Sequence, residues 1–314
     1  MDKSFVILTE YKCGRMHSKG AKKLLEGTII KGIGGFYYID TKKGVYECRA
    51  RGIFRKEGVK PIVGDYVEIS IIDETNKKGS LDVIRQRKTE LIRPRVANVD
   101  QAVIVFAAKS PNLNLDLLDR FLLLAEQQQL DIVICINKID KDKEKLYEKT
   151  AELYSLVGYT VLCVSAEKEI GIEKLKEALY HKISVFAGPS GVGKSSLINQ
   201  AFAHAKMQTG AISEKIQRGR HTTRHAELIE IGKDSYIVDS PGFTSLHLEG
   251  ITEETLQYYF REFQPYVHNC YYTGCSHTHE PNCAVKEQLG KKIDETRYNR
   301  YATIYKELEQ ERRK

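Results

Sequence analysis

The sequence predicts a multidomain chain with a small N-terminal β-barrel, a central α/β domain and a C-terminal, mainly helical, metal-binding domain. Short strands with period-two alternation and glycine-rich turns fill residues 25–93, which is typical of a barrel. Continuous apolar strands alternate with helices over residues 94–247, as in a parallel sheet covered by helices. Three cysteines and three histidines cluster within residues 248–314. A chain of 314 residues is long enough for these three regions.

Residues 1–24 show weak periodicity and a basic stretch from Lys12 to Lys23. We expect a flexible N-terminal extension, and Met16 is an alternative start to Met1. The sequence shows neither an apolar run long enough for a transmembrane helix nor a signal peptide, which favours a cytoplasmic protein. The formal net charge of +7 is compatible with a polyanionic partner without requiring one.

The barrel region predicts an OB-fold with four or five short strands. They are expected at Thr28–Lys31, Phe36–Asp40, Val45–Arg51, Asp65–Ser70 and Leu81–Ile84. Basic and aromatic residues are interleaved here, at Lys31, Tyr37, Tyr38, Arg49, Arg51, Phe54 and Arg55. OB-folds use such faces for nucleic acid, although aromatic residues in strands more often belong to the core.

The central region predicts a doubly wound order of strands and helices. Strands are expected at Ala102–Ala107, Ile132–Ile136, Thr160–Val164, Ile183–Ala187 and Tyr236–Val238. Helices are expected at 114–129, 143–157 and 173–181, where apolar residues recur at helical spacing. The last region should end in a charged helix over 295–314, whose stripe of Tyr298, Tyr301 and Tyr305 indicates packing.

A phosphate-binding loop lies between a predicted strand and a predicted helix. Gly188-Pro189-Ser190-Gly191-Val192-Gly193-Lys194-Ser195 fits G-x-x-x-x-G-K-[ST], and Ser196 follows. Backbone N–H groups of such a loop surround the β-phosphate, and the helix N-terminus adds partial positive charge. Lys194 is expected between the β- and γ-phosphates, and the Ser195 hydroxyl is expected on Mg²⁺.

Two guanine-reading motifs precede this loop in the sequence. Asn137-Lys138-Ile139-Asp140 fits N-K-x-D, and Ser165-Ala166 ends the next strand. The Asp140 carboxylate can accept two hydrogen bonds from guanine, whereas adenine presents the wrong donor pattern. The Lys138 stem would pack along the base or the loop, and a backbone N–H at Ser165-Ala166 would meet the guanine oxygen.

Asp239-Ser240-Pro241-Gly242 fits D-x-x-G and comes last, so the order of the motifs is permuted. We expect Asp239 to support Mg²⁺ indirectly and the Gly242 N–H to approach the γ-phosphate. Phe243 stands where a glutamine usually orients the attacking water, and a phenyl ring cannot do so.

The segment Gly219-Arg220-His221-Thr222-Thr223-Arg224 lies between the phosphate loop and Asp239. A threonine here can place its hydroxyl on Mg²⁺; Thr223 is favoured and Thr222 is the alternative. His221 is the candidate catalytic residue, because an imidazole can orient or deprotonate water. A solvated histidine in a mobile polar loop is the competing interpretation.

Cys270, Cys275, His277 and Cys283 follow the spacing C-x4-C-x-H-x5-C. Three thiolates and one imidazole close a tetrahedral structural zinc site without an open position, which disfavours catalytic zinc. His279 is the rival histidine ligand.

The permuted order, the phosphate loop, G-R-H-T-T-R, Phe243 and the cysteine cluster together resemble the RsgA (YjeQ) family of circularly permuted GTPases. The resemblance covers about residues 25 to 314. It implies an OB-fold, a GTPase domain and a zinc domain, with His221 as the proposed catalytic histidine. It also implies a role late in maturation of the small ribosomal subunit, which stimulates GTP hydrolysis. The implied partners are that subunit and its rRNA, and a monomer is the default expectation.

Two other functions compete with this one. An RNA-binding switch with negligible turnover is permitted by Phe243, whereas Lys194, Ser195, Thr223 and His221 argue against it. A P-loop ATPase or kinase is disfavoured by Asp140 and by the permuted order. Because D-x-x-G leads directly into the zinc segment, a further hypothesis is that nucleotide state repositions that segment.

Overall fold

The computed structural model describes residues 24–92, 94–202, 226–232, 234–239 and 248–313. Five N-terminal strands close into a barrel with the neighbour order β1-β2-β3-β5-β4. They are β1 (Leu25–Ile33), β2 (Phe36–Thr41), β3 (Tyr46–Ala50), β4 (Tyr66–Asp73) and β5 (Lys78–Ile84), and a short helix α1 (Gly52–Lys56) follows β3. The five strands expected from the alternation are confirmed, and closure leaves no strand edge unpaired.

Alternate residues of the barrel strands point inward, as a half-buried strand requires. Ile29 pairs with Ile39, and Ile39 pairs with Tyr46, and these three side chains are fully buried. Phe54 is also buried, at 2% exposure. It is therefore a core residue, and its inclusion in a nucleic-acid face was wrong.

The central region alternates strands and helices as predicted. Its long elements are β8 (Gln101–Ala107), α2 (Leu115–Gln127), β9 (Asp131–Asn137), α3 (Leu146–Leu156), β10 (Thr160–Cys163), α4 (Ile172–Leu179), β11 (Ile183–Ala187), α5 (Lys194–Ala201), β12 (Glu227–Gly232) and β13 (Ser235–Asp239). Two short strands, β6 (Glu90–Leu91) and β7 (Val96–Ala97), precede them. Asn114 caps α2 by accepting a hydrogen bond from Leu117 N at 2.9 Å.

The described residues form two compact units. The first combines described parts of 1–101, 177–185 and 202–243, so the barrel belongs with the first three residues of β11 and with β13 and β12, which are neighbours in that order. The second combines described parts of 102–176, 186–201 and 244–314 and contains the neighbouring strands β10, β9 and β8. Within the described part of the chain, no helix is long and apolar enough to cross a membrane.

The C-terminal segment consists of short 3-10 turns followed by one long helix, α6 (Glu295–Arg312). The turns span Leu256–Tyr259, Arg261–Phe263, Val267–Asn269 and Lys286–Gln288. Phe260, Phe263 and Tyr301 pack ring against ring at the centre of this segment, and Leu123 of α2 belongs to the same apolar cluster. The predicted packing role of the tyrosine stripe is confirmed for Tyr301, which is fully buried.

A buried ion network joins α6 to helices α2 and α3 inside the second unit. The Asp119 carboxylate of α2 accepts hydrogen bonds from Arg297 Nη1, from Arg300 Nε at 2.5 Å and from the Tyr154 hydroxyl at 2.6 Å. Arg297 also donates to Glu262. Because Asp119 and Arg297 are each 1% exposed, either charge would be strongly destabilising without its oppositely charged partner. The C-terminal segment is therefore part of the core of this unit.

Candidate nucleotide site and metal centre

The loop between β11 and α5 has the backbone of a phosphate-binding loop. Gly188, Gly191 and Gly193 all have positive φ, at 127°, 80° and 93°, where other residues are strained. A Cβ on Gly188 would lie 2.1 Å from the carbonyl oxygen of Val105, so only glycine fits there. The loop leads into the first turn of α5, where the backbone N–H groups have no acceptor within the helix.

The side chains of the loop are placed at the start of α5. Lys194 Nζ donates to the carbonyl oxygens of Gly188 at 2.6 Å and Pro189 at 2.7 Å. Burial lowers the pKa of Lys194, because the charged ammonium is partly removed from water. Ser195 and Ser196 are exposed beside it. An ammonium and two hydroxyls at a helix N-terminus together suit a polyphosphate.

Asn137 connects the three sequence motifs in space. Its Nδ2 donates to the Val192 carbonyl of the phosphate loop at 2.9 Å. Its Oδ1 accepts a hydrogen bond from the Ala166 backbone N–H at 3.3 Å. Asn137 is 1% exposed, so these hydrogen bonds are shielded from water. The N-K-I-D, S-A and phosphate-loop segments therefore meet, although they are separated in the sequence.

Lys138 and Asp140 lie on the turn that follows β9. Lys138 adopts the left-handed conformation, with φ of 60°, and its Nζ donates to the Gly191 carbonyl at 2.6 Å and to the Ser110 carbonyl. The Asp140 carboxylate accepts a hydrogen bond from the Ser165 hydroxyl. The lysine side chain thus spans from the N-K-I-D turn to the phosphate loop, and the carboxylate is fixed next to the S-A segment.

These motifs line a cavity of about 490 Å³, a volume within the usual range for small-molecule sites. Its lining residues are Asn137, Lys138, Asp140, Lys141, Ser165, Ala166, Glu167, Gly193, Ser196, Asn199 and Gln200. The motifs did not indicate Lys141, Glu167, Asn199 or Gln200. Asn199 and Gln200 lie one helical turn after Ser195 and Ser196, and this spacing was the signal that could have identified them.

Other predicted site residues cannot be placed in this way. His221, Thr222, Thr223, Gly242 and Phe243 lie outside the described residues. Asp239 is described at the level of the backbone, where it ends β13 and pairs with Glu227 of β12.

The structure brings together Cys270, Cys275, His277 and Cys283, whose ligand atoms all lie within 4.8 Å of one another. His277 Nδ1 lies 3.5 Å from Cys270 Sγ and 3.3 Å from Cys283 Sγ. The rival His279 lies outside this cluster, with a side chain that is 82% exposed. The four ligand atoms are therefore arranged to hold one metal ion.

Neighbouring groups orient these ligands. Gln257 Oε1 lies 2.8 Å from His277 Nε2, so the amide oxygen accepts the Nε2 proton and leaves Nδ1 free to ligate. Burial lowers the pKa of His277, which favours the neutral ring that a metal requires. The Tyr298 hydroxyl donates to the His277 carbonyl at 2.8 Å. Helix α6 thus supports the metal centre as well as the ion network.

Comparison with known proteins identifies relatives over nearly the whole chain. The family model described as "RsgA GTPase" matches residues 84–249, and the one described as "RsgA N-terminal domain" matches residues 26–80. A relative named "Small ribosomal subunit biogenesis GTPase RsgA", from Alkaliphilus metalliredigens, is 49% identical over 92% of this chain and 99% of its own length. A relative of the same name from Clostridium perfringens is also 49% identical, over 90% of this chain and 98% of its own.

Two solved structures share the fold. The crystal structure of YloQ, titled "a circularly permuted GTPase", has a TM-score of 0.77 and 36% identity, covering 95% of this chain and 99% of that one. The crystal structure of YjeQ from Thermotoga maritima has a TM-score of 0.77 and 35% identity, covering 91% of this chain and 98% of that one. Barrel, central domain and cysteine-bearing segment all fall within these matches.

Proposed function

Because the chain belongs to the RsgA family of circularly permuted GTPases, we propose that this GTPase acts late in maturation of the small ribosomal subunit and is stimulated by that subunit. One observation of the site carries the proposal. Asn137 joins the guanine-reading turn, the S-A segment and the phosphate loop around one cavity, although the permuted sequence separates them.

The guanine end of the cavity selects the base. The Asp140 carboxylate accepts hydrogen bonds from the ring N–H and exocyclic amine of guanine, and the Ala166 side of the cavity meets the guanine oxygen. ATP is rejected because adenine would leave the Asp140 carboxylate without its donors. Lys138 keeps the base and the phosphates in register by contacting the phosphate loop at Gly191.

The phosphate end binds the charged part of the substrate. The backbone N–H groups of Gly188 and of residues 190–193, together with Lys194, bind the β- and γ-phosphates, and Ser195 with Thr223 would hold Mg²⁺. The Mg²⁺ ion would neutralise negative charge on the phosphates. Asp239 would support Mg²⁺ indirectly, and the Gly242 N–H would contact the γ-phosphate. His221 is the proposed residue that orients or deprotonates the attacking water, a role that Phe243 cannot fill.

We assign zinc to the metal centre. Three thiolates and one imidazole are ligands that zinc prefers, and a tetrahedral zinc ion places its ligand atoms about 3.5–3.8 Å apart. Contacts of 3.3, 3.5 and 3.9 Å among Cys270, His277 and Cys283 lie close to that spacing. The role of the ion is structural, because four protein ligands leave no position for substrate.

The barrel and the zinc-bearing segment are the proposed ribosome-binding parts. Arg49 of β3 stacks on the Phe36 ring with its guanidinium carbon 4.4 Å from the centroid, which leaves a cation beside an aromatic side chain on the outside of the barrel. This pairing suits rRNA, where bases stack and phosphates need counter-charge.

The deciding experiment measures hydrolysis of GTP by the purified protein with and without small ribosomal subunits. Large subunits and ATP serve as controls. Stimulation by the small subunit alone, with GTP alone, is the expected result. Hydrolysis that neither subunit accelerates would contradict the proposal and favour a slow nucleotide-dependent switch. If the small subunit does stimulate hydrolysis, His221→Ala should remove the stimulated rate while leaving GTP binding intact.

A further inference from the structure

Two side-chain contacts fasten the barrel to the β12–β13 hairpin within the first compact unit. Lys31 Nζ of β1 lies 3.1 Å from Glu227 Oε2 at the start of β12. The Tyr236 hydroxyl of β13 donates to Asp40 Oδ2 of β2 at 2.6 Å. One ion pair and one hydrogen bond therefore tie two barrel strands to the two strands of the hairpin.

The hairpin connects both segments that are predicted to sense the nucleotide. Glu227 begins β12 six residues after His221 in the sequence. Asp239, the first residue of D-x-x-G, ends β13. Glu227 and Asp239 are direct partners in the ladder between the two strands. A shift of Glu227 is therefore carried to the strand end at Asp239.

Lys31 also belongs to the outer face of the barrel. It lies opposite Tyr38 in the β1–β2 ladder, and Phe36 lies opposite Arg49 in the β2–β3 ladder. Partners and alternate residues share a face, so these four side chains lie on one side of the sheet, away from the buried Ile39. Cations interleaved with aromatic rings are the arrangement that binds single-stranded RNA.

The hairpin and the barrel are not closely packed beside the Tyr236–Asp40 contact. A groove of about 680 Å³ that is open to solvent lies there, lined among others by Thr28, Tyr66, Glu230 and Asp234. Along this groove the hairpin can shift against the barrel without displacing packed side chains.

We propose that Lys31 is shared between Glu227 and a phosphate of RNA bound on the barrel, so that RNA binding weakens the contact between the barrel and the start of β12. This inference rests on the proposed function, because it describes how RNA bound on the barrel would affect nucleotide binding. Lys31 and Glu227 have side chains that are 32% and 22% exposed, so a phosphate can approach the ammonium. By thermodynamic linkage, a nucleotide that moves β12 must also change RNA affinity.

The test is a binding measurement on the full-length protein and its Glu227→Gln and Lys31→Met variants. The probes are purified small ribosomal subunits and an unstructured single-stranded RNA, each titrated with GDP and with a non-hydrolysable GTP analogue. Glu227→Gln should bind RNA about two- to fivefold more tightly, the size expected of one partly exposed ion pair. Lys31→Met should bind more weakly. In both variants the ratio of the affinities in the two nucleotide states should move toward one.

A second lysine–glutamate pair on the barrel provides the matched control. Lys43 Nζ lies 2.7 Å from Glu74 Oε1, and both residues belong to the barrel region. Lys43→Met and Glu74→Gln remove the same charges without touching the hairpin. These variants should keep the wild-type ratio of affinities between nucleotide states, and thermal melting should show that all four variants are folded.

Each outcome decides a different point. If Glu227→Gln binds no more tightly than wild type, or if its nucleotide dependence is unchanged, Lys31 is not shared. A wild-type protein that binds the RNA but not the small subunit contradicts the proposed function, and the RNA titration still decides the role of Lys31. A wild-type protein that binds neither probe overturns both.

Discussion

At the scale of single residues, Gly193 shows how closely the phosphate loop approaches Asn137. Its φ is 93°, and a Cβ there would lie 2.5 Å from Asn137 Nδ2. We predict that Gly193→Ala displaces the Asn137 amide from the Val192 carbonyl and strains the loop. GTP affinity should fall at least about fivefold, since an unpaired buried amide alone costs about 1–3 kcal/mol. Titration of a fluorescent GTP analogue measures the change.

Gly158 is the control for this substitution. Its φ is 99°, but no atom lies within 4 Å of its missing Cβ. Gly158→Ala therefore carries similar backbone strain without a collision, and it should leave GTP affinity unchanged. Equal losses in both variants would show that strain, and not the approach to Asn137, is responsible.

The residues that sequence patterns identified are those whose role depends on local spacing. Gly188, Gly193 and Asp140 belong to short motifs, so their positions could be predicted without a structure. Asn199 lines the same cavity through α5, and only its spacing of one helical turn from Ser195 connects it with the motif. In the sequence Asp119 looks like an ordinary polar residue of α2. Its role could not be predicted, because its partner Arg297 lies 178 residues away.

At the scale of elements, the first turn of α6 depends on Asp294. Its carboxylate accepts hydrogen bonds from the Arg297 N–H at 3.0 Å and from the Thr296 hydroxyl. Burial opposes ionisation, but these hydrogen bonds outweigh it and lower the pKa of Asp294 below its ordinary 3.8. Asp294→Ala should reduce the free energy of unfolding by about 0.5–2 kcal/mol at pH 7.

The sign of the pH dependence follows from this lowered pKa. A carboxyl with a lower pKa in the folded state stabilises the protein above its unfolded value and loses that contribution as pH falls below it. Asp294→Asn keeps an effective cap that does not titrate. Wild type should therefore lose more stability than Asp294→Asn between pH 5 and pH 3, as followed by urea unfolding. Parallel curves would contradict this role.

We expect a larger loss of stability when the ion network between α2 and α6 is broken. Asp119→Ala leaves the buried Arg297 without one of its carboxylates, and the expected loss is about 3–5 kcal/mol of unfolding free energy. Arg120→Met is the control, because Arg120 also joins α2 to α6, through Glu307, but at a more exposed position. It should cost less than about 1 kcal/mol. Similar losses in the two variants would mean that burial of the network is unimportant.

The elements themselves were predicted where periodicity is strong. All five barrel strands and five of the six strands of the central sheet follow from alternation or continuous apolar runs, and α2 follows from its stripe, whereas β12 was not predicted. The four 3-10 turns between Leu256 and Gln288 could not be predicted in this way. Their shape depends on the packing of Phe260 and Phe263 and on the metal ligands, and not on a repeat in the sequence.

At the scale of the whole molecule, the metal centre and the apolar core of the C-terminal segment are one structure. Cys275 and Cys283 belong to the same buried cluster as Phe263 and Tyr301. We predict one zinc ion per chain by elemental analysis. Its removal by a chelator should loosen this segment, because the thiolates would lose the charge that holds them together.

Tyrosine circular dichroism in the near ultraviolet and limited proteolysis measure the loosening. Cys283→Ser should behave like the chelated wild type, whereas Cys163→Ser removes a thiol of β10, outside the cluster, and should keep its zinc. Near-ultraviolet spectra that stay unchanged after zinc is lost would show that the aromatic core does not need the ion.

The distance in sequence between Asp119 and Arg297 has a consequence during translation. Chains emerge from the ribosome N-terminus first, so α2 is available long before α6 has been made. Until residue 297 is free of the exit tunnel, the Asp119 carboxylate lacks both arginines, and Leu123 lacks its apolar neighbours in the C-terminal segment. A nascent chain halted before that point would display a charged and apolar surface suited to chaperones, and the unit that contains α2 would become complete only at the end of synthesis.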